Sequence, residues 1–304
     1  MQQVYHLSPQ GNFGDDLNAW FWDVVLPDWR SWDSSVTLIG IGTILNAGLL
    51  PSGKKLVIGS GVGYGGVPDM SNCDEWDIRA VRGPRTAKTL GLDASKALSD
   101  PAIILPCLDM FHGIEKTNDV VFVPHVGSDQ SFDWAFICDR LSLQYQSPSA
   151  CPKIVIKRLA SARRVIVESM HAAIIADAFG TPWTAVEINK GFNRFKWLDW
   201  AESLEMRDLE IRKFFPVMRQ VQSTADLMRT SIKKKPSQVR TVKVKNPPAA
   251  TDRTRNGKAL HALAWAHLRQ VSREKQFRLS DRTVLEMAQR RYSRLFRDIH
   301  KDYA

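Results

Sequence analysis

Residues 163–187 read Arg163-Arg164-Val165-Ile166-Val167-Glu168-Ser169-Met170-His171-Ala172-Ala173-Ile174-Ile175-Ala176-Asp177-Ala178-Phe179-Gly180-Thr181-Pro182-Trp183-Thr184-Ala185-Val186-Glu187. The β-branched run Val165 to Val167 predicts a strand. It ends in a polar cluster, Glu168 to His171. The Ala/Ile stretch that follows predicts a helix closed by Gly180 and Pro182, and a second strand begins near Trp183. In a parallel α/β sheet the polar turn of such a unit lies at the carboxyl ends of the strands, where ligands bind. Free N–H groups at the helix start favour an anion there. His171 would stand beside it as the side chain able to donate a proton near neutral pH.

Outward from this unit the same alternation recurs. Before it, Val120 to Val123 predicts a strand running into Pro124-His125, and Lys153 to Arg158 completes the second α/β unit. In the amino-terminal part, Val4 to Leu7, Thr37 to Ile41, Lys55 to Ile58 and Asp77 to Arg82 read as strands. The polar turn Gly11 to Asn18 opens a Trp-rich helix, and Gly83-Pro84 starts a helix ending at Gly91. Alternating β and α elements predict parallel sheets with helices on both faces. The expected division is an amino-terminal Rossmann-like domain over 1–115 and a carboxyl-terminal one, with helices, over 116–230. The two would face a cleft.

Charge separates the rest. Residues 231–304 carry 19 Lys/Arg and 6 Asp/Glu, a net of +13; the remainder carries 42 − 19 = 23 basic and 32 − 6 = 26 acidic residues, a net of −3. Residues 231–258, with Lys233-Lys234-Lys235-Pro236 and Pro247-Pro248, have linker composition. Residues 259–304 regain helical spacing and read as a basic amphipathic tail. Leu260, Leu263, Ala264, Leu268 and Val271 form one apolar stripe; Leu285, Ala288, Tyr292, Leu295 and Ile299 form another, with Ser280 as N-cap. The tail would either meet an anionic membrane surface or pack on the body. It has no nucleic-acid recognition signature. The four cysteines lack metal-ligand spacing, and no signal peptide is evident. Together these predict buried thiols in a cytoplasmic protein that is soluble or peripheral at a membrane.

Several residues could carry chemistry. Asn12, Gly14 and Asp15 sit at the first β–α turn, where they either cap a helix or aim a carboxylate at a substrate hydroxyl. Arg82 and Arg85 flank a helix start, where positive charge opposes the macrodipole, which points to an anionic ligand. His125 and His171 occupy equivalent strand ends. Glu168, Ser169 and Lys196 complete the substrate-binding candidates. The glycines from Gly59 to Gly66 predict a tight turn lining a substrate. No ligand cluster supports a metal, and no Gly-x-Ser-x-Gly supports a hydrolase.

Taken in order, Gly11-Asn12-Phe13-Gly14-Asp15-Asp16-Leu17-Asn18, Ile58-Gly59-Ser60-Gly61, Ala80-Val81-Arg82-Gly83-Pro84-Arg85-Thr86, Ser99-Asp100-Pro101-Ala102, Val123-Pro124-His125, Glu168-Ser169-Met170-His171 and Phe195-Lys196-Trp197-Leu198-Asp199-Trp200 resemble the polysaccharide pyruvyl transferases. The resemblance is greatest to the branch acting on exopolysaccharides such as succinoglycan and xanthan, and it covers about residues 1–205. It implies a fold similar to the GT-B glycosyltransferases. The implied donor is phosphoenolpyruvate, a co-substrate with no resident cofactor, and the implied acceptor is a sugar hydroxyl pair on a lipid-linked saccharide. It carries the family's motif positions onto Asn12, Gly14, Asp15, Arg82, His125, Ser169 and His171; for such a reaction His171 is the candidate acid and Asp15 the candidate base. Many relatives have Gly where Ser99 stands. Many have an Arg where Ser169 stands; Arg163, Arg164, Arg194 and Lys196 are the candidate replacements. A GT-B glycosyltransferase gripping a nucleotide sugar through Glu187, and a non-enzymatic scaffold of the assembly machinery, are the other readings.

Overall fold

The computed structural model describes residues 1–48, 50, 52–130, 132–214 and 255–304, the side chains of the last stretch from residue 261 onward. Among these residues the strands form two all-parallel sheets. β1 (Gln2–Val4), β2 (Val36–Ile39), β3 (Lys54–Ile58) and β4 (Trp76–Ala80) lie in the order β1-β2-β3-β4. β5 (Val120–Val123), β6 (Gln144–Tyr145), β7 (Arg164–Val167), β8 (Trp183–Glu187) and β9 (Ile211–Lys213) lie in the order β6-β5-β7-β8-β9. The architecture is α/β and compatible with Rossmann-like halves. All residues of β2 and β5 are buried, as expected of parallel strands covered on both faces.

Among the described residues the helices are α1 (Phe21–Val25), α2 (Pro84–Thr89), α3 (Val126–Asp129), α4 (Trp134–Asp139), α5 (Pro152–Ser161), α6 (Met170–Ala178), α7 (Arg194–Ser203), α8 (Arg255–Arg273) and α9 (Arg282–Tyr303). In the first sheet the expected alternation is incomplete. Among the described residues β2 joins β3 without a helix, and β3 joins β4 through the glycine-rich turn and one short 3-10 turn. Glycine costs a helix backbone entropy, and these two connections hold many of them. Of the helices expected up to residue 230, the described part from 201 to 214 is helical only at its start, and residues 215–230 lie outside the described residues. Glu205 takes φ +58°, ending α7, and the chain extends again as β9 at the edge of the second sheet.

Between the sheets the chain is tied rather than merely linked. Leu38 and Ile58 of the first sheet and Val123 and Val167 of the second belong to one hydrophobic cluster. The 3-10 segment Pro101–Cys107 packs against α6, and α7 returns from the second half to pack against α2.

The basic tail lies on the body. Ala264, Leu268 and Val271 of α8 join the cluster of Phe122, Ile166 and Val186 under the second sheet. Leu285, Ala288, Tyr292, Phe296 and Ile299 of α9 join the large cluster with Phe21 and Trp22. Leu263, expected in the first stripe, is 40% exposed, because it sits one position off the i, i+4, i+7 line through 264, 268 and 271. An antiparallel bridge from Trp183 to Arg278 pins the connection between α8 and α9. The N-cap of α9 is Asp281, which accepts from Thr283 and Val284 N–H. Ser280 instead gives its N–H (2.8 Å) and hydroxyl to the buried Asp177. The linker expected at 231–258 lies outside the described residues up to 254; α8 has begun by 255. Three of the four cysteines, Cys73, Cys107 and Cys151, are exposed; Cys138 alone is buried.

Candidate active site

β7 delivers the central imidazole. Its run ends at Glu168, Ser169 stands at the N-cap of α6, and His171 follows in the first turn. His171 is 8% exposed. The amino-terminal turn closes over it: a Cβ added to Gly14 would fall 1.9 Å from Nδ1 of His171. Gly14 has φ −69°, open to any residue, so glycine is needed here for space and not for backbone freedom. The turn is held on the second half by the Phe13 N–H bond to Pro148 O (2.9 Å) and by Ser149 Oγ to Gly11 O (3.3 Å).

This contact brings Asp15 to the imidazole. Asn12 orients the carboxylate, donating from Nδ2 to Asp15 Oδ2 at 2.7 Å while its own Oδ1 accepts from Gly14 N–H at 3.3 Å. Burial raises the pKa of Asp15, opposed by the charges of His171, His6 and Lys196. Lys196, in the first turn of α7, has Nζ 5.6 Å from the Tyr64 ring centroid. Desolvation, then Lys196, then His171 push His125 down to about 3. That ring is therefore neutral at physiological pH. Its Nδ1 accepts from Gly127 N–H at 3.1 Å, which leaves the proton on Nε2. Asp15, Lys196, His125 and His171 thus form one electrostatic group drawn from both halves.

Three of the predicted residues are placed differently. Arg82 is 0% exposed, ion-paired to Asp199 at 3.0 Å and donating to Val62 O at 2.9 Å and to Thr43 Oγ1. Arg85 makes a bidentate pair with Glu202, at 2.9 and 2.6 Å. The anions that draw positive charge to the start of α2 are therefore carboxylates of α7, 117 residues away in sequence in each case. Glu168, also buried, accepts the backbone N–H of His125 (2.9 Å), Ile188 (3.0 Å) and Asn189 (3.1 Å). Burial raises its pKa to about 7 against these bonds. Its carboxyl group braces the ends of β5, β7 and β8.

Cβ atoms on Gly59 and Gly61 would strike Pro101, Tyr292 and the Arg82 guanidinium, so the close approach is to protein groups. Among the replacement cations, Arg164 donates to Ser272 O and Glu274 O, Arg194 lies 3.7 Å from Glu187, and Arg163 is exposed. Lys196 is the one whose charge acts on Asp15. Sequence reasoning passed over Asp100, whose Oδ2 lies 3.7 Å from His171 Nε2. Its Ser-Asp-Pro motif marked it, but its distance in sequence from His171 hid the pairing.

Over 205 residues the chain is 47% identical to the succinoglycan biosynthesis protein ExoV of Rhizobium meliloti (strain 1021). The match covers 67% of this chain and 65% of that protein, so the chain matches just under two thirds of its relative's length. No family model and no solved structure matches the chain. With nearly half its matched residues identical, the chain is similar to ExoV, a succinoglycan biosynthesis protein, over two thirds of its own length.

Proposed function

We propose that this protein acts in exopolysaccharide biosynthesis, transferring the pyruvyl group of phosphoenolpyruvate to a hydroxyl pair of a lipid-linked saccharide as a cyclic ketal. The observation that carries this reading is the contact of Gly14 with His171, which sets an acid and a carboxylate from different halves beside each other. Identity to a succinoglycan biosynthesis protein supports the pathway class, and the motif resemblance supports the donor.

In this reading His171 gives a proton to C3 of phosphoenolpyruvate, and C2 becomes electrophilic. Asp15 takes the proton of one sugar hydroxyl as its oxygen bonds to C2. The C2–O bond to phosphate then breaks, inorganic phosphate leaves, and the second hydroxyl adds to C2 with loss of its proton. One donor and one diol become one ketal and one phosphate. Lys196 and the free N–H groups at the start of α6 hold the anion. His125, neutral, offers Nε2–H to the carboxylate or phosphate, and Asn12 and Ser169 complete the binding groups. We read the two halves as a GT-B-like pair, which the two parallel sheets and the return of α7 to α2 support.

No helix among the described residues is long and apolar enough to cross a membrane. We place the protein at the cytoplasmic membrane face through the solvent side of α9. There Arg290, Arg294, Arg297 and Lys301, all exposed, follow one line at i, i+4, i+7 and i+11.

Thermal-shift titration with phosphoenolpyruvate and with nucleotide sugars tests the donor. Stabilisation by phosphoenolpyruvate alone, with phosphate released once acceptor is added, is the expected result. Stabilisation by a nucleotide sugar alone would transfer the assignment to a glycosyltransferase, and no response to either would favour a scaffold.

A further inference from the structure

His171 Nε2 and Asp100 Oδ2 are both buried, both without a hydrogen-bond partner among the described residues, and 3.7 Å apart. The separation is longer than a hydrogen bond, yet the two atoms face each other in the same buried place. Catalytic bonds of this kind are commonly long until substrate is bound. Asp100 has no exposed surface. Its other oxygen, Oδ1, caps the segment Pro101–Cys107 by accepting from Ala102 N–H at 2.9 Å, so the side chain cannot swing away without losing that cap.

The backbone behind it is set with equal care. Ser99 takes φ +127°, a region that favours glycine. Such a conformation persists only where its surroundings over-determine it, and it concentrates at functional sites. Here Tyr292 of α9 donates to Ser99 O at 2.6 Å, and Ser203 of α7 donates to Ser99 Oγ at 3.0 Å. Two helices from distant parts of the chain therefore hold the residue that aims Asp100. A helix cap alone would need neither the strain nor the second oxygen directed at an imidazole.

We propose that Asp100 is a positioning residue for His171: it orients the ring through Nε2 and keeps a proton there, so that proton exchange with substrate takes place at Nδ1, on the side of Gly14 and Asp15. This rests on the reading of His171 as the acid of pyruvyl transfer. A carboxylate that fixes the tautomer of a working histidine in this way is a recurring device in unrelated enzymes.

The test is the tautomer of His171 in the full-length chain labelled with 15N-histidine, its signals identified by their loss in His171→Gln. Nε2–H in the neutral ring is expected. Asp100→Asn retains an oxygen to cap Ala102 and turns its NH2 toward Nε2. The tautomer should then reverse to Nδ1–H, and kcat for phosphate release from phosphoenolpyruvate should fall about 100-fold or more with little change in KM. A merely structural Asp100 would alter stability and leave the tautomer in place. Nδ1–H with a bare Nε2 in the wild-type chain would overturn the proposal whether or not the variant folds, as would an Asn variant with unchanged tautomer and kcat. If the wild-type chain releases no phosphate, the function reading fails, and the tautomer alone decides the role of Asp100.

Discussion

Gly14 lies so close to His171 that a methyl group on it would sit 1.9 Å from the ring nitrogen Nδ1. Gly14→Ala must therefore displace either the imidazole or the turn that carries Asp15. Because φ at this position suits any residue, backbone strain adds nothing. A displacement of about 1 Å costs on the order of 100-fold in rate. Phosphate release should fall by about that factor while the thermal transition stays within a few degrees. A variant with normal kcat would separate the two residues functionally.

Asp199 neutralises a guanidinium that has no access to water. It also accepts from Thr86 N–H at 2.8 Å and from Thr86 Oγ1 at 2.6 Å. Asp199→Ala strands the Arg82 charge in the interior and should cost about 3–5 kcal/mol. Urea unfolding of the two proteins measures it directly. A loss below about 1 kcal/mol would mean that Arg82 finds another anion.

His125 makes stability depend on acid. Burial holds its folded pKa near 3, below its usual 6.5. The unfolded chain thus binds a proton that the native chain refuses. The stability from keeping this ring neutral is fully present above about 6.5 and drains away as pH falls toward 3. His125→Gln should flatten that part of the stability–pH curve, read by thermal melts between pH 7 and pH 4. An unchanged slope in the variant would place the acid sensitivity elsewhere.

The outer face of α9 can be separated from its inner face. Deleting the helix would uncover Phe21 and Trp22, so loss of liposome binding after truncation would say little. Replacing Arg290, Arg294 and Arg297 by Glu leaves the buried stripe intact. Flotation with anionic liposomes at low salt should be lost, since each basic residue near such a surface contributes roughly 1 kcal/mol. Undiminished flotation would remove this face from any membrane role.

Much of this protein is legible along the chain. β5, β7 and β8 fall close to where their apolar runs predict, since strands buried on both faces have no polar period to blur them. The strand–turn–helix unit places His171 in the first turn of α6 for the same local reason. The strand at 211–213 and the displacement of the N-cap from Ser280 to Asp281 depend on contacts the local pattern does not contain: β9 pairs with β8, and Asp177 takes the Ser280 hydroxyl.

Sequence by itself determined the α/β class, the strand ends and the residue types gathered at them, because propensity and burial periodicity act over a few residues. Tertiary structure decided what each charge does. Arg82 and Arg85 look like anion-binding groups until α7 brings Asp199 and Glu202 to them, and Asp100 looks like a helix cap until α6 brings His171 within 3.7 Å. A charge is assigned by its nearest opposite charge once water is excluded, and that neighbour is supplied by the fold from more than seventy residues away.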